Sequence, residues 1–173
     1  RNLVSVAFSL TTLDDELKRI MEPRTASPGA RLRAMRSLHE AGVPVAAMAA
    51  PIIPMINDME LERILEAARD AGARSAGYVL LRPPLEIAEL FEEWLRSHFP
   101  ERAEHVMSLI RQSRGGQNYD SRFGTRMRGE GAFADLLAQR FALARKRLGL
   151  IRRDGFELDC SQFAPPGRQM ALL

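Results

Sequence analysis

The stretch that decides the fold runs from Val43 to Asp58 and reads VPVAAMAAPIIPMIND. It is the longest apolar run of the chain, and its hydrophobic residues do not alternate with polar ones. An uninterrupted run of this kind predicts a strand that is buried on both faces, as in a parallel sheet. Because Pro51 and Pro54 lack the N–H that a central strand uses, we expect a strand at Val43–Ala50 and a loop at Pro51–Asp58. In α/β sheets, the carboxyl end of a strand is where ligands usually bind.

Two further strands are predicted, one on each side of this stretch along the chain. Leu3–Leu10 is rich in β-branched and aromatic residues, and Ser75–Leu81 is a second such run. A helix begins at Ser27-Pro28, an N-cap hydroxyl followed by a proline, and we expect Asp58 to cap the next helix. The order strand, helix, strand, helix, strand predicts parallel βαβ units.

The pattern becomes helical after the double proline at residues 83 and 84. A helix is expected at about Leu85–His98, a second helix after Pro100, and a long helix after a Gly/Arg-rich loop at Arg111–Gly131. The tail from Ile151 is expected to lie along the surface. We therefore divide the chain into βα units at residues 1–84 and a helical extension at residues 85–173.

The composition excludes several classes of protein. The chain has 173 residues, with 46% hydrophobic and 27% charged, which is ordinary for a globular domain. No apolar run reaches the ~18 residues that span a bilayer, so we expect no membrane contact. The single cysteine, Cys160, excludes an internal disulfide and a cysteine metal cluster, and it favours a reducing, cytoplasmic compartment. The three histidines lack metal-ligand spacing, so no metal site is predicted from this chain alone.

The beginning of the chain and the small number of strands predict a piece of a longer protein. The sequence starts at Arg1 without an initiator methionine and enters a strand at once. Three parallel strands alone would leave exposed sheet edges, which proteins normally avoid. We expect either a missing N-terminal half or a homodimer to cover them.

Candidate ligand-binding side chains follow the predicted strands. Ser9, Thr11 and Thr12 place hydroxyls after the first strand, although Ser and Thr are also common in turns. Arg31 lies in the first turn of a helix, where the dipole disfavours a cation, so a bound carboxylate could explain it; a solvated arginine is the alternative. Asn57 is a further candidate contact.

The Gly/Arg-rich loop at Arg111–Gly131 has two interpretations. Its basic residues are interleaved with aromatic ones, a combination that binds single-stranded nucleic acid by charge and stacking. A flap that packs on its own domain is the alternative. The residues concerned are Arg111, Arg114, Arg122, Arg126, Arg128, Tyr119 and Phe123.

Several phrases of the sequence resemble a known family. They are AFSLTTLDDELKRIMEPRTASPGARLRAMRSLHEAGVPV, APIIPMIND, RSAGYVLLRPP and HVMSLIRQSRGGQNYDSRFGTRMRGEG. Together they resemble the C-terminal portion of a radical S-adenosylmethionine protein, in a bacterial group similar to spore photoproduct lyase and labelled DNA-repair-photolyase-like.

The resemblance implies an α/β fold, the C-terminal half of a partial (βα)6 TIM-like barrel of about three parallel strands followed by a helical extension. In such families, a [4Fe–4S] cluster is held by a Cys-x3-Cys-x2-Cys loop after the first barrel strand. That loop is absent from this sequence, so the ligands would belong to the intact protein and this chain alone would be inactive. In the intact protein, the cluster would reduce S-adenosylmethionine, and the 5′-deoxyadenosyl radical would abstract hydrogen from a substrate, by analogy a nucleic acid base in a lyase-like repair reaction.

The resemblance also implies a cofactor-binding set but names no catalytic residue. Hydroxyls after the fourth barrel strand would face the ribose or the methionyl group, an arginine would pair with the methionyl carboxylate, and the apolar loop and the sixth strand would contact adenine. The matching residues are Ser9, Thr11, Arg31, Pro51, Ile53, Asn57, Tyr78, Val79 and Leu80.

Met55 departs from the family pattern, because relatives usually have glycine there. If the backbone needs a positive φ at this position, methionine is costly and the adenine-side geometry changes. The alternative function from another class is a non-catalytic α/β module that binds nucleic acid through Arg111–Arg128.

Overall fold

The structure is a computed structural model that describes residues 3–83, 85–116, 127–152 and 158–161. Its fold is mixed α/β, as the sequence predicts. In chain order, the elements are β1 (Val6–Ser9), α1 (Asp15–Met21), α2 (Pro28–Glu40), β2 (Val45–Ile52), a 3-10 turn (Asp58–Glu60), α3 (Leu61–Asp70), β3 (Ala73–Leu80), α4 (Leu85–His98), α5 (Ala103–Gln112), α6 (Ala132–Arg147) and β4 (Ile151–Arg152).

The strands form one parallel sheet in the order β1–β2–β3–β4. Phe8 of β1 pairs with Ala47 of β2, which in turn pairs with Ala76 of β3. The predicted parallel arrangement of three strands is therefore confirmed. β4 adds two residues beside Ser75 and Ala76. It falls in the segment that was expected to be a surface tail, and two residues are too short to give a sequence pattern.

β2 continues through Pro51, which corrects the prediction that this proline ends the strand. The strand occupies Val45–Ile52 instead of Val43–Ala50, and the Ala50–Pro51 peptide bond is cis. The register with β3 shifts between Ala49 and Ile52, so the missing N–H of Pro51 coincides with an interruption of the ladder. Prolines in sheets are tolerated at such irregularities.

One face of the sheet packs against α2, α3 and α6. Alternate residues of β2 and β3 point to this face, as the two-residue period of a strand requires. No residue of β2 is exposed, which agrees with its uninterrupted apolar sequence. The buried core includes Met35, Ala47, Ala49, Ile64, Leu65, Ala76, Tyr78, Leu80 and Leu137.

The opposite face of the sheet carries small residues and is partly open. Ala7 and Ser9 of β1 are exposed there, and Met48 and Gly77 are half-buried. A Cβ at Gly77 would lie 2.8 Å from the Sδ of Met48, so the missing side chain makes room for the methionine.

A second apolar cluster covers the loop after β2. Ile53 is only 2% exposed and packs among residues of α4 and α5, including Leu95, Val106 and Ile110. The indole Nε1 of Trp94 donates a hydrogen bond to the main-chain oxygen of Ile20 over 3.4 Å. α4 and α5 therefore pack close to the carboxyl ends of the strands.

The predicted start of α2 is confirmed, whereas the predicted cap of α3 is not found. The Oγ of Ser27 accepts a hydrogen bond from the N–H of Ala30 over 3.2 Å, and Pro28 is the first helical residue. Asp58 lies in the 3-10 turn, and α3 begins at Leu61 without a side-chain cap.

Candidate functional site

Asn57 joins the loops that follow β1 and β2. It is fully buried, and its Oδ1 accepts a hydrogen bond from the N–H of Ile53 over 2.6 Å. Its Nδ2 donates to the main-chain oxygens of Thr11, over 2.8 Å, and Pro51, over 2.9 Å. The side-chain amide thus binds three backbone groups. Asn57 therefore stabilises the loops of the site and is too buried to contact a ligand.

The two hydroxyls after β1 meet at one carbonyl. Ser9 Oγ donates to the main-chain oxygen of Ala50 over 2.7 Å, and Thr11 Oγ1 donates to the same oxygen over 3.2 Å. Ser9 is exposed, whereas Thr11 is 2% exposed. Of the two predicted hydroxyl ligands, Ser9 is therefore the one that a bound molecule can reach.

Arg31 reaches from the first turn of α2 to the end of β1. Its Nη1 donates to the main-chain oxygen of Ser9 over 2.8 Å, and its Nη2 pairs with the Oε2 of Glu22 over 3.0 Å. The side chains of Arg31 and Glu22 are 15% and 26% exposed. A guanidinium and a carboxylate therefore lie side by side next to the main-chain oxygen of Ser9, and the expected alternative of a freely solvated arginine is not what the structure shows.

Glu60 is a structural residue that the sequence analysis missed. Its carboxylate accepts hydrogen bonds from the hydroxyl of Thr12 and, over 2.9 Å, from the N–H of Leu13. The two loops are 47 residues apart in sequence at this contact. No local sequence pattern relates Glu60 to the loop at Thr12, so the sequence gave no signal for this contact.

Met55 lies at the turn of the loop after β2. Its φ is 62°, and it is the one residue other than glycine with a positive φ in the described part of the chain. Its side chain is 42% exposed, and its carbonyl accepts a hydrogen bond from Arg102 Nη1 over 3.2 Å. The backbone here has the positive φ that favours glycine, so the condition under which methionine is costly at this position is met.

The predicted adenine contacts on β3 face in different directions. Leu80 is fully buried; its N–H donates to Met127 over 2.9 Å, and its carbonyl accepts from Arg114 Nη2 over 2.9 Å. The ring of Tyr78 packs against that of Phe141 in α6 at an angle of 50°, with ring centroids 4.8 Å apart. Val79 is half-buried. Ile53, also predicted to contact adenine, lies inside the second cluster, and Pro51 is half-buried.

A second charged group links α3 to α6. Arg140 bonds Glu62 through Nε over 2.8 Å and Nη2 over 2.7 Å, and its Nη1 lies 3.6 Å from Asp58 Oδ2. The hydrogen bond to Arg140 lowers the pKa of Glu62. Burial raises the pKa of Asp58, although Arg140 and backbone hydrogen bonds act in the opposite direction. This cluster is a packing contact between helices and not part of the site at the strand ends.

The Gly/Arg-rich loop is only partly within the described residues. Arg114 is 2% exposed, and its guanidinium donates to the carbonyls of Leu80 and Leu81. For this residue, the interpretation of the loop as a flap that packs on its own domain is therefore the one that the structure supports. Arg128 is exposed. Tyr119, Arg122, Phe123 and Arg126 lie outside the described residues.

Among the described residues, no group of three or more His, Cys, Asp or Glu side chains is placed to hold a metal ion. Cys160 is exposed and forms no disulfide. In the same part of the chain, no helix has the length and apolar character needed to cross a bilayer.

Comparisons with known proteins match the part of the chain that contains these strand ends. Residues 1–68 match the family described as the Radical SAM superfamily. Uncharacterized proteins of Mycobacterium tuberculosis and Mycobacterium bovis are each 32% identical over 111 residues, covering 63% of this chain and 33% of the relative. An uncharacterized protein of Acidianus two-tailed virus is 34% identical over 77 residues, covering 42% of this chain and 26% of the relative.

The chain spans about a third of the length of the mycobacterial relatives it matches. No solved structure matches it. The matched residues 1–68 contain β1 to α3, and with them Ser9, Arg31 and Asn57. The match is to a superfamily whose members in general use S-adenosylmethionine and a [4Fe–4S] cluster.

The residues of this chain fit the two implied groups unequally. A cluster ligated by three thiolates does not fit a chain with one cysteine. S-adenosylmethionine requires partners for an amino group, a carboxylate and a ribose, and Glu22, Arg31 and the exposed Ser9 offer these three kinds of partner side by side.

Proposed function

We propose that this chain supplies the S-adenosylmethionine-binding side of a radical SAM enzyme. The observation that carries the proposal is the Arg31–Glu22 pair, which contacts the main chain of Ser9 at the carboxyl end of β1 and lies within the segment that matches the superfamily. The carboxyl ends of parallel strands are the usual ligand-binding edge of an α/β sheet.

The methionyl group of the cofactor is complementary to this pair. Its carboxylate would bond the Arg31 guanidinium, and its amino group would bond the Glu22 carboxylate. The Ser9 hydroxyl would contact the ribose, with Thr11 and Asn57 holding the backbone behind it. Pro51 and Val79 are half-buried and would offer apolar contacts to adenine, and Tyr78 and Leu80 would contribute through the backbone of β3. Ile53 would support the loop from the core.

The role of these residues is to bind and orient the cofactor. When bound, S-adenosylmethionine supplies hydrogen-abstraction chemistry. Since the cluster does not fit this chain, its ligands would come from a segment outside residues 1–173. We propose a Cys-x3-Cys-x2-Cys loop about 100 residues before Arg1, given the βα period of such barrels. A gene sequence without that motif upstream would contradict this part of the proposal.

Several finer features belong to the same proposal. The sheet would be the last half of a partial (βα)6 barrel, with residues 1–84 as its βα units and residues 85–173 as an extension, in a cytoplasmic bacterial protein of the spore photoproduct lyase-like group. The open face at Ala7 and Ser9 would then face the missing N-terminal half or, in a homodimer, a second copy. The substrate would be a nucleic acid base in a repair reaction of the lyase type; this rests on analogy alone.

Titration of the full-length protein with S-adenosylmethionine tests the proposed function. We expect saturable binding in isothermal titration calorimetry, with competition by S-adenosylhomocysteine, which keeps the amino, carboxylate and ribose groups. Absence of binding to a folded full-length protein would contradict it.

The alternative, a nucleic-acid-binding module, has less support among the described residues. Arg114 is buried against β3 carbonyls and cannot contact a phosphate. Arg111 and Arg128 remain at the ends of the loop. If they bind phosphates, oligonucleotide affinity should fall steeply with salt, and a flat response would exclude this function.

A further inference from the structure

The segment between α1 and α2 is a turn that Lys18 holds at both ends. The main-chain oxygen of Lys18 accepts a hydrogen bond from the N–H of Glu22 over 2.8 Å, and its Nζ donates to the main-chain oxygen of Thr25. Within the turn, the carbonyl of Glu22 accepts from the N–H of Thr25 over 3.1 Å and from its hydroxyl over 3.0 Å. Four hydrogen bonds therefore fix the backbone that connects Lys18 to Thr25.

The contact between Glu22 and Arg31 depends on this turn. Glu22 is the C-cap of α1, and Arg31 lies in the first turn of α2, so the turn joins the two elements that carry the pair. Arg31 has a second anchor, because its Nη1 donates to the main-chain oxygen of Ser9 over 2.8 Å. Among the described residues, the carboxylate of Glu22 has only the 3.0 Å bond to Arg31. Of the two side chains, Glu22 is therefore the one whose position relies on the turn.

The ammonium group of Lys18 binds a carbonyl, although a carboxylate lies four residues further along the chain. Side chains at this spacing on a helix are neighbours, so a lysine and a glutamate there can form an ion pair. Glu22 occupies that position, yet in the described part of the chain Lys18 is half-buried and bonds Thr25 instead. Because Lys18 binds the backbone, the Glu22 carboxylate stays available to Arg31 and to a ligand.

We propose that Lys18 is a positioning residue for recognition of the α-amino group of the bound cofactor. The inference rests on the proposed function, in which Glu22 binds that amino group and Arg31 binds the carboxylate. By holding the turn at Thr25, Lys18 keeps the Glu22 carboxylate beside Arg31, so that one α-amino acid can reach both side chains. Binding groups are most selective when supporting hydrogen bonds fix them in place. Lys18 itself does not contact the ligand.

Loss of the Lys18 contact affects the two halves of the amino-acid group differently. The side chain of Glu22 is 26% exposed, so without the tether at Thr25 it turns towards solvent. Arg31 keeps its bond to the main chain of Ser9 and stays in place. Recognition of the amino group is therefore lost, whereas recognition of the carboxylate is kept.

Two ligands that differ only by the amino group test this proposal on the full-length protein. S-adenosylhomocysteine is compared with its analogue that lacks the α-amino group, by isothermal titration calorimetry. The wild type should bind S-adenosylhomocysteine about 10-fold or more tightly than the analogue, which corresponds to one charge-assisted hydrogen bond. In Lys18→Met, this ratio of affinities should fall to about 2-fold or less, while the affinity for the analogue stays unchanged.

Three further variants separate positioning from a general loss of stability. Lys18→Arg keeps a donor for the Thr25 carbonyl and should retain the wild-type ratio. Thr25→Val loses the hydroxyl bond to the Glu22 carbonyl and should lower the ratio in the same direction as Lys18→Met. Arg19→Met, at the exposed neighbouring position of α1, is the matched control and should change neither affinity.

The outcomes distinguish this proposal from the proposed function. A folded wild type that binds neither ligand contradicts the proposed cofactor site itself. A wild type that binds both ligands equally removes the amino-group role of Glu22 and, with it, the role of Lys18. If the wild type prefers S-adenosylhomocysteine and Lys18→Met weakens both ligands equally or neither of them, only the positioning role of Lys18 is overturned.

Discussion

The side-chain amide of Asn57 bonds the carbonyl of Thr11 over 2.8 Å and so ties the loop after β2 to the loop after β1. The same side chain bonds Ile53 and Pro51. One buried residue thus determines how the two strand ends that carry the candidate site lie against each other.

Asn57→Ala should destabilise the protein by about 2–4 kcal/mol, because it leaves buried backbone groups of Ile53 and Thr11 without partners. Chemical denaturation measures this change. Ser37→Ala, at an exposed position of α2, is the control and should change the free energy of unfolding by less than about 0.5 kcal/mol. A similarly small effect of Asn57→Ala would show that the amide does not hold the loops together.

Met55 tests the backbone conformation of the loop after β2. Since its φ is 62°, glycine should be more stable there than alanine by about 1 kcal/mol. Comparing Met55→Gly with Met55→Ala in denaturation experiments isolates the backbone, because both variants lose the same half-exposed side chain. Equal stability of the two variants would argue against a left-handed residue at this position.

Gly129 lies two residues after Met127, in the segment that packs against β3. Its φ is 77°, and a Cβ would lie 2.8 Å from Leu80 Cδ2 and 3.0 Å from the carbonyl of Ser113. Gly129→Ala should therefore cost about 2–3 kcal/mol from backbone strain and overpacking. Gly115→Ala is the matched control, since its φ is 65° but no atom of the described residues lies within 4 Å, so only the backbone cost of about 1–2 kcal/mol should remain. Equal losses would contradict the close packing at Leu80.

The Arg140 cluster predicts opposite pH dependence for two neighbouring carboxylates. The lowered pKa of Glu62 means that its contribution to stability is present above about its usual value of 4.5 and is lost as the pH falls through the folded-state pKa. Glu62→Gln should therefore be less stable than wild type at pH 7, with the difference shrinking in acid.

The raised pKa of Asp58 has the reverse sign. Its favourable contribution is present below its usual value of 3.8 and is lost as the pH rises through the folded-state pKa. Asp58→Asn should thus improve in stability relative to wild type as the pH rises toward 7. Parallel pH profiles for the two variants in denaturation experiments would contradict this assignment.

The sequence predicted most elements with a strong local signal. Leu85–His98 has a clear apolar stripe and is α4 with the predicted bounds, and Ser27-Pro28 begins α2 as expected. The predicted bounds of β2 differ from the observed ones by two residues. The strand continues through Pro51 because its register with the neighbouring strand shifts there, and a single strand's sequence does not reveal such a shift. β4 is too short for any pattern.

The candidate site was less predictable than the fold. The proximity of Ser9 and Arg31 followed from strand order and the resemblance, but the partner of Arg31 did not. Glu22 lies in an irregular segment nine residues before it, where no helical or strand period relates the two side chains. The same reason hid the contact of Glu60 with Thr12 and that of Glu62 with Arg140, which form only in the folded chain.

The most direct test of the central claim is the affinity of the full-length protein for S-adenosylmethionine when Arg31 is replaced. Arg31→Ala should weaken binding about 10- to 100-fold, because a charge-assisted hydrogen bond of ~1.5–3 kcal/mol is lost. Arg36→Ala, an exposed arginine on the same helix, should leave the affinity unchanged. Equal affinity of Arg31→Ala and wild type, in protein shown by thermal melting to be folded, would contradict the account.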